Sequence, residues 1–333
     1  MNSSQTTPRP LYVVGGDLTV ARQGGRLVVR RGQQTVTSAP LILLSEVVIQ
    51  GRAHVTTAAL HLLLDAGIPL VLLTRGGQAR GRLEPPGSRH VALRHAQLRA
   101  SADPQLRLSL ARDLVRGKIA NQRLLVLRQA REHPAVDRGA GERLLQLLDA
   151  VGRARDVAGL RGIEGAAAAV YWAALAPVLT PYGFAGRSRH GGDIVNCLLN
   201  YTSAVLRETV LAAMTITGLD SHVSFLHESF RDRPTLAFDL MEEWRPVLLE
   251  ATVLALLGLR MAGPDDWSVK DDGTRLTDHA RLNVLQRFHD RLEAPAPGRD
   301  GSAGTYRTRV NHQARLFANC LRELAPYTPY SWR

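Results

Sequence analysis

Residues 218–250 have the sequence GLDSHVSFLHESFRDRPTLAFDLMEEWRPVLLE, the most distinctive pattern in the chain. An apolar run ends at His227. Arg-Asp-Arg-Pro then forces a turn, because proline fixes its own φ and disfavours helix in the residue before it. The pattern predicts a short extended piece from Thr235 to Phe238 and, from Asp239, an apolar helix that runs through Leu259. The turn therefore delivers a histidine beside the acidic start of a helix.

Two interpretations fit the acids of this stretch. Asp239 and Glu242 stand three residues apart and would share one helix face. With His227 they supply the ligands of a divalent-metal site, since imidazole suits Mn or Zn and carboxylates suit Mg or Mn. The same spacing also fits a capping box, with Asp239 at the N-cap and Glu242 at N3. The second interpretation needs no metal, and spacing alone does not choose between them.

A further acid stands in unusual surroundings. Glu164 is the only acid between Ile163 and Leu179, a segment made largely of Ala, Gly, Val and aromatic residues. Such small residues predict a closely packed helix with Glu164 buried near its start. A lone buried carboxylate is costly unless a cation or a donor meets it. The partner is a metal ion, one of the 42 Lys and Arg side chains, or the positive end of the helix itself.

Four motifs follow one another along the chain. They are Gly162-Ile-Glu-Gly165, Arg187 to Tyr201 with Asn196-Cys-Leu-Leu-Asn-Tyr201, Gly218 to Asp220 with Phe225-Leu-His-Glu228, and Asp239-Leu-Met-Glu242 with Trp244-Arg-Pro246. In this order and at these separations, they resemble the CRISPR-associated integrase family, also called CRISPR-associated protein one, the nuclease of spacer acquisition. The resemblance covers the chain from Leu11 to about Leu292. Ser221 and Ser224 stand where the family usually has Pro and Gly, which leaves the shape of the loop before the histidine open.

The resemblance implies a set of site residues. In that family a Glu, a His and an acid three residues after an Asp bind a divalent metal ion. Carried over position by position, these are Glu164, His227 and Glu242, and they would hold Mg²⁺ or Mn²⁺. We expect Asp239 to lie behind them and to orient a ligand or a water.

The charge of the chain predicts an anionic partner. The formal net charge is +12 over 333 residues, and the isoelectric point is about 10.6. A surplus of this size most simply predicts nucleic acid, with an attraction that salt weakens. Length and an ordinary hydrophobic content of 45% allow two domains, each with its own core.

Composition also excludes several classes of protein. The only cysteines are Cys197 and Cys320, so a disulfide scaffold and a zinc finger are both disfavoured. The N-terminus lacks a signal-like pattern, and the weakly polar run Gly165 to Leu179 is short and interrupted by Pro177. We therefore expect a cytoplasmic protein without a membrane segment.

Periodicity and turn residues predict an α+β protein. We expect a disordered tail over 1–10, a β-rich N-terminal domain over 11–83, a linker over 84–91 and an α-helical catalytic domain over 92–333. Short β-prone runs separated by Gly pairs indicate hairpins in the N-terminal part, and the prolines and glycine after Leu83 end it. The resemblance implies that this N-terminal domain forms a homodimer.

Leucines and valines at three-to-four spacing predict helices in the larger domain. The predicted helices span 92–101, 105–131, 140–150, 163–179, 281–291 and 306–324. The other predicted segments are a basic loop over 187–193, a polar loop over 262–278, a breaker-rich segment over 295–304 and an irregular end after 325.

Seven residues are candidates for contact with DNA. They are Arg112, Lys118, Arg187, Arg189, Asn196, Tyr201 and Arg245. For the residues on helices the alternative is an ordinary solvated face, and for Asn196 and Tyr201 it is a bridge between packed helices.

Three functions follow from these patterns. The resemblance implies integration of new spacer (protospacer) DNA into the repeat of a CRISPR array, with a small CRISPR-associated protein two as partner. A transposon-type integrase or a branched-DNA repair nuclease outside CRISPR is the alternative. Charge alone would also fit a DNA-binding protein without catalysis, which divalent-dependent strand transfer would exclude.

Overall fold

The structure is a computed structural model, and it describes residues 8–74, 79–85, 91–228, 233–270, 273–296, 298, 301–323 and 326–332. The chain divides into two compact units, Met1–Ser88 and Arg89–Arg333. A strand-rich unit precedes a helical one, so the predicted α+β class is confirmed.

The first unit is a six-stranded mixed sheet. Its strands are β1 (Arg9–Gln23), β2 (Arg26–Arg31), β3 (Gln34–Pro40), β4 (Leu44–Val55), β5 (Leu70–Leu73) and β6 (Ala79–Leu83). The strand order is β3-β2-β1-β4-β5-β6, with β1–β4 and β4–β5 parallel and the other pairs antiparallel. Thr56 caps helix α1 (Thr57–Asp65), since its side chain accepts from Ala59 N. Leu63 of this helix packs into the apolar core of the sheet.

The first strand differs from the sequence prediction. The glycine pair at 15 and 16 predicts two separate runs, Leu11 to Val14 and Asp17 to Ala21. Strand β1 is instead continuous, because Gly15 and Asp17 adopt positive φ (117° and 59°) and absorb the irregularity without ending the strand. It also begins at Arg9, inside the predicted disordered tail 1–10; proline is tolerated at the start of a strand, and Pro10 pairs in register with Glu46. The rest of that tail, residues 1–7, lies outside the described residues.

The second unit is mainly helical. Its helices are α2 (Val91–Ala102), α3 (Pro104–Glu132), α4 (Gly139–Val151), α5 (Val157–Leu179), α6 (Ile194–Thr217), α7 (Thr235–Met241), α8 (Ala251–Gly258), α9 (Asp278–Glu293) and α10 (Tyr306–Glu323). The predicted polar loop 262–278 is wrong in part, since it contains the hairpin of β7 (Trp267–Lys270) and β8 (Gly273–Leu276). The segment 326–332 has no regular secondary structure.

The helix after the turn begins earlier than the pattern predicts. Thr235 to Phe238 is the start of α7 and not an extended piece, since Pro234 stands at its N-cap and Leu236 and Ala237 are fully buried. A proline just before a helix is compatible with helix initiation. Asp239 therefore lies inside α7, and the alternative interpretation of Asp239 and Glu242 as a capping box is wrong.

After α7 the chain changes from α-helical to π-helical geometry. Arg245–Glu250 forms a π-helical segment with Pro246 near its beginning, and α8 follows directly. Proline lacks the N–H that an α-helix uses and crowds the preceding turn, so a wider turn relieves the mismatch. Short π segments occur often at functional sites.

Helix α5 positions Glu164 away from its own end. It begins at Val157, because the side chain of Asp156 accepts from Gly159 N. Glu164 therefore lies two turns into the helix, and the prediction of a place at the helix start is wrong. The stretch Val157–Tyr182 is the one helix of the described residues long and apolar enough to cross a membrane, a test that a core helix also passes, and α5 packs against α3 and α4.

Candidate metal centre

The loop 219–228, which carries His227, is fastened to three helices. Gln97 of α2, Arg107 of α3 and Arg161 of α5 hydrogen-bond to its main-chain atoms at 2.8–3.0 Å. These hydrogen bonds hold the loop in place and thereby position His227. Sequence reasoning missed all three, since a polar residue that ties a helix to a distant loop leaves no local pattern.

The two serines that depart from the family pattern take part in the loop. Ser224 Oγ donates to His227 O at 2.8 Å, and the carbonyl of Ser221 accepts from Leu236 N at 2.9 Å. The first bond closes the loop upon itself and the second ties it to α7. The serines thus shape the loop without contributing a ligand.

Asp239 gathers the chain around the histidine. Its carboxylate is fully buried and accepts the backbone N–H groups of Phe225 (2.6 Å), Leu226 (3.0 Å) and His227 (2.9 Å). The imidazole Nδ1 of His227 lies 2.7 Å from the same carboxylate. When Nδ1 carries the proton for that bond, Nε2 faces away from Asp239 and is available to a ligand.

Lys118 of α3 joins the other two acids. Its ammonium contacts Oε1 of Glu164 and lies 2.5 Å from Oε2 of Glu242. The Lys118 and Glu242 side chains are 9% and 5% exposed, whereas Glu164 is 22% exposed and His227 35%. The cluster is therefore buried on one side and open to solvent at the Glu164 and His227 edge.

Electrostatics keep this cluster ionised. Burial opposes the charge of Glu242, but Lys118, Arg245 and His227 outweigh it and lower the pKa of Glu242 to about 2. Burial also disfavours the charged imidazole; the hydrogen bond and charge of Asp239, with the charges of Glu242 and Glu164, prevail and raise the pKa of His227. Burial opposes the ammonium as well, yet Glu242 and Glu164 raise the pKa of Lys118.

A second polar group lies next to the first, on the π-helical segment. Arg245 Nε stands 4.0 Å from Glu242 Oε2, and Tyr171 of α5 donates to Glu250 at 2.7 Å. Burial raises the pKa of Glu250, although Arg245 and the tyrosine hydroxyl partly offset the effect. Burial disfavours the charged form of Arg245, but the charges of Glu242 and Glu250 prevail and raise its pKa.

Glu164, Glu242 and His227 form a donor set that suits Mg²⁺ or Mn²⁺, namely two carboxylates and an imidazole. Oε2 of Glu242 is buried, with the ammonium of Lys118 at 2.5 Å and Nε of Arg245 at 4.0 Å. Among the described residues, no three His, Cys, Asp or Glu side chains are arranged to hold a metal ion. The donors fit the metal that the family resemblance implies, and an ammonium occupies the space between the two carboxylates.

The predicted DNA contacts fall into different surroundings. Lys118 lies inside the cluster and not on an exposed path. Arg112 donates to Ala154 O and ties α3 to the segment before α5. Arg189 is exposed on the loop before α6.

The amide of Asn196 holds the basic loop together. It is 1% exposed and hydrogen-bonds to Arg187, to Ser188 N, to Gly186 O and to Asp193. Tyr201 is also buried in α6, at 4% exposure. These positions favour a bridging role for both side chains over direct contact with phosphate. Burial and the nearby charge of Arg245 lower the pKa of Arg187 to about 10.

Glu243, the residue after Glu242, hydrogen-bonds to the C-terminal segment. Glu243 accepts from Tyr327 Oη at 2.9 Å and from Tyr330 N at 2.6 Å, and Trp244 stacks on Tyr330 with ring centroids 4.5 Å apart. Burial raises the pKa of Glu243 to about 8. The irregular segment 326–332 is thereby anchored directly beside the candidate centre.

The same segment is anchored on α3. Asn121, one turn after Lys118, donates to Glu243 O (2.8 Å) and Tyr330 O (3.0 Å) and accepts from Trp332 N (2.7 Å). A Cβ added to Gly117 would stand 2.6 Å from Cβ of Pro329. The segment therefore packs against the helix that carries Lys118 and the turn that carries Glu242.

Together these features define a two-unit α+β protein whose helical unit carries a carboxylate–histidine–lysine centre. The family model of CRISPR associated protein Cas1 matches residues 11–290. A CRISPR-associated endonuclease Cas1 of Thermus thermophilus is 34% identical over 332 residues, which covers 97% of each chain. The chain belongs to the Cas1 family, which confirms the assignment made from the motifs.

Solved structures show the same fold. A casposase bound to integration product superposes with a TM-score of 0.85 at 22% identity, over 97% of this chain and 93% of that one. A chain of a Cas6-RT-Cas1–Cas2 complex gives a TM-score of 0.82 at 21% identity, over 99% of this chain and 37% of that one. At such identities the likeness concerns the fold.

Proposed function

We propose that the protein is a divalent-metal-dependent DNA endonuclease and integrase that inserts new spacer DNA into a CRISPR array. One observation carries the proposal: in a member of the Cas1 family, Lys118 contacts Glu164 and Glu242 together, and the charges of both acids act on His227. The name of the Thermus relative, a CRISPR-associated endonuclease, supports the same activity.

Each side chain of the centre has a role. The chemistry supplied by a bound Mg²⁺ or Mn²⁺ is charge neutralisation at the phosphorus and a lower pKa of a coordinated hydroxyl. Glu242 stays anionic at any working pH, since its pKa is about 2. Asp239 holds Nδ1 of His227 and so directs Nε2 toward the ligand, and Glu164 provides the second carboxylate at the open edge.

Burial sets the direction from which DNA approaches. Asp239 and Glu242 form the closed side, while Glu164 and His227 face solvent. The reacting phosphodiester therefore meets the cluster at the Glu164 and His227 edge. The attacking group is water in cleavage and the 3′-hydroxyl of the new fragment in integration, and the same in-line geometry serves both.

The positive charge of the chain supports double-stranded DNA as the substrate, both the incoming protospacer fragment and the repeat. Arg189 is exposed on the loop before α6, and Arg187 and Arg245 extend positive charge from that loop to the cluster. We assign direct backbone phosphate contact to Arg189. Arg187, Arg245 and Arg112 are partly buried and already have protein partners, so they would act through their charge.

We further propose the assembly that the family suggests. The partner is a small protein of the Cas2 type, which the fold likeness to a chain of a Cas6-RT-Cas1–Cas2 complex supports. Two copies of this chain would pair through the strand-rich unit, whose edge strand β3 has mostly exposed side chains. The protein acts in the cytoplasm, without a membrane partner.

A transposon-type integrase is the second candidate. The fold likeness to a casposase favours it, but at 22% identity, against 34% for the CRISPR-associated endonuclease. A repeat array beside the gene would separate the two.

The test is a strand-transfer assay. Purified protein is incubated with a labelled duplex bearing free 3′-hydroxyl ends and a repeat-bearing plasmid, with Mg²⁺, Mn²⁺ or EDTA. We expect joined product with either metal and none with EDTA. Products equally abundant in EDTA would contradict the proposal, as would DNA binding without any cleavage or joining.

Affinity gives a second test. Each neutralised phosphate contributes a slope of about −0.9 in log K against log salt, so Arg189→Ala is expected to flatten the slope by about 1 and weaken all sequences alike. A preference for the repeat that persists at high salt without the partner protein would show that this chain reads bases itself.

A further inference from the structure

The ammonium of Lys118 stands between buried Glu242 and partly exposed Glu164. It contacts Glu164 and Glu242 together, and its own side chain is 9% exposed. Two carboxylates that close would repel each other strongly in a buried place without a cation between them. In this structure Lys118 is the cation that both of them contact.

The identity of the cation is unusual in this chain. Of its 42 lysine and arginine residues, only Lys118 and Lys270 are lysines. At nearly every other position the chain uses the broad, flat guanidinium group. A compact ammonium on a flexible four-carbon stem resembles a small inorganic cation more closely than a guanidinium group does. The flexible stem also allows the ammonium to move away from the carboxylates.

The backbone that carries Lys118 is closely packed. The preceding Gly117 lies against Pro329, and Asn121 one turn later makes three hydrogen bonds to the chain around it. The flexible four-carbon stem of the lysine is therefore the part of this region that can rearrange most easily.

We infer that Lys118 is a resident counter-ion that holds Glu164 and Glu242 together in the metal-free protein and competes with the divalent cation for the space between them. This inference rests on the proposed function, because it assumes that the two carboxylates are metal ligands. Binding of Mg²⁺ or Mn²⁺ then requires the ammonium to leave. Lys118 thus keeps the metal-free centre assembled and lowers its affinity for the metal ion.

Burial and charge support the competition. The ammonium of Lys118 contacts both Glu164 and Glu242, so a divalent cation bound by the same two carboxylates would meet it. Oε2 of Glu242 is buried and lies 2.5 Å from the ammonium. A cation that binds this oxygen directly therefore displaces the contact with Lys118.

The test measures Mn²⁺ binding by calorimetry at pH 8, without DNA, for the wild type and Lys118→Met. We expect Lys118→Met to bind Mn²⁺ more tightly by roughly 5–150-fold, the usual range of a coupling between two ligands. The metal-free variant should melt at a lower temperature than the wild type, and Mn²⁺ should raise its melting temperature by more. Lys270→Met removes the same charge elsewhere and should change neither quantity.

Several outcomes would overturn the inference. Equal or weaker Mn²⁺ affinity in a folded Lys118→Met protein would show that the lysine does not compete. If that variant fails to fold even with Mn²⁺, Lys118→Gln, which keeps a polar group of similar length, is measured in its place under the same expectation.

Glu242→Gln in the otherwise wild-type chain separates this inference from the proposed function. If it leaves Mn²⁺ binding intact, the metal site itself is assigned wrongly. If it abolishes binding while Lys118→Met brings no gain, only the role of Lys118 fails.

Discussion

Glu242 and Glu243 are neighbours in the chain, and both are buried, at 4% and 0% exposure. Their protonation is nevertheless opposite. Glu242 lies among Lys118, Arg245 and His227, which lower its pKa to about 2, whereas burial without a cationic partner raises the pKa of Glu243 to about 8. One peptide bond thus separates a carboxylate surrounded by cations from one that holds a chain segment by hydrogen bonds.

The difference teaches what a buried acid needs in each role. A charged carboxylate in the interior requires paired cations, and removal of one partner leaves a costly unpaired charge. Glu243 has hydrogen-bond donors in place of paired cations: the hydroxyl of Tyr327, the backbone N–H of Tyr330 and the side-chain amide of Gln313. Changes at the two positions should therefore have different consequences.

The largest effect on activity is expected from the candidate metal ligands, to which Glu242 belongs. Glu164→Ala, His227→Ala and Glu242→Ala should each abolish divalent-dependent cleavage and strand transfer, because each removes one of three donors. Activity assays with circular dichroism as a folding control check this. Wild-type rates in a well-folded Glu242→Ala protein would show that the cluster is not the centre.

The next effect concerns Glu243 and appears as a pH dependence of stability. Its folded pKa of about 8 lies above the ordinary value of 4.5, so the folded state binds a proton that the unfolded state has released. Its contribution is therefore full below about pH 4.5 and is lost as pH rises toward 8, by about 1.4 kcal/mol per unit. Urea unfolding at pH 6 and pH 8 should show a larger loss for the wild type than for Glu243→Gln.

The two proteins share every other titrating group, so the difference between their slopes isolates Glu243. Identical slopes would mean that Glu243 is ionised at neutral pH and that the contrast with Glu242 is wrong.

A smaller effect is expected from the carboxylate behind the histidine. Asp239→Asn keeps the shape but places an amide where three N–H groups and an imidazole point, so it should lower metal affinity or turnover roughly 10–100-fold. Asp103→Asn, at the N-cap of α3, is the matched control, since Asn caps as well as Asp. Equal rates for Asp239→Asn and the wild type would exclude a positioning role.

The smallest effect tests the packing of segment 326–332. Gly117→Ala places a Cβ against Pro329 and should destabilise by about 1–3 kcal/mol. Gly162→Ala, an exposed helical glycine with open space around it, should be neutral or stabilising by up to about 1 kcal/mol. The two free energies of unfolding are compared in urea, and equal values would show that the segment yields easily.

The sequence predicted the elements whose signals are local. Turn residues and periodicity placed most strands and helices, and the motifs identified the family. The early start of α7 was missed because the four residues from Thr235 carry no period of their own and become helical through burial of Leu236 and Ala237. The hairpin β7–β8 was missed because its strands are only four residues long.

The environment of the centre was less predictable. Lys118 was identified as a candidate for DNA contact, yet its place between two acids depends on α3, α5 and the turn after α7 meeting in space. Gln97, Arg107 and Arg161 act across more than 60 residues of chain. Nothing local marks a side chain whose partner is that far away.

The anchored segment 326–332 has a consequence for how the molecule comes to its final form. The bond between Trp332 and Asn121 spans 211 positions of sequence, and the bond between Tyr330 and Glu243 spans 87. Contacts between such distant positions close long loops at a large entropic cost, so we expect them to form late in folding. The surroundings of Glu242 and Lys118 are then completed only when the C-terminal segment docks, and we expect a partly folded chain to lack the assembled cluster.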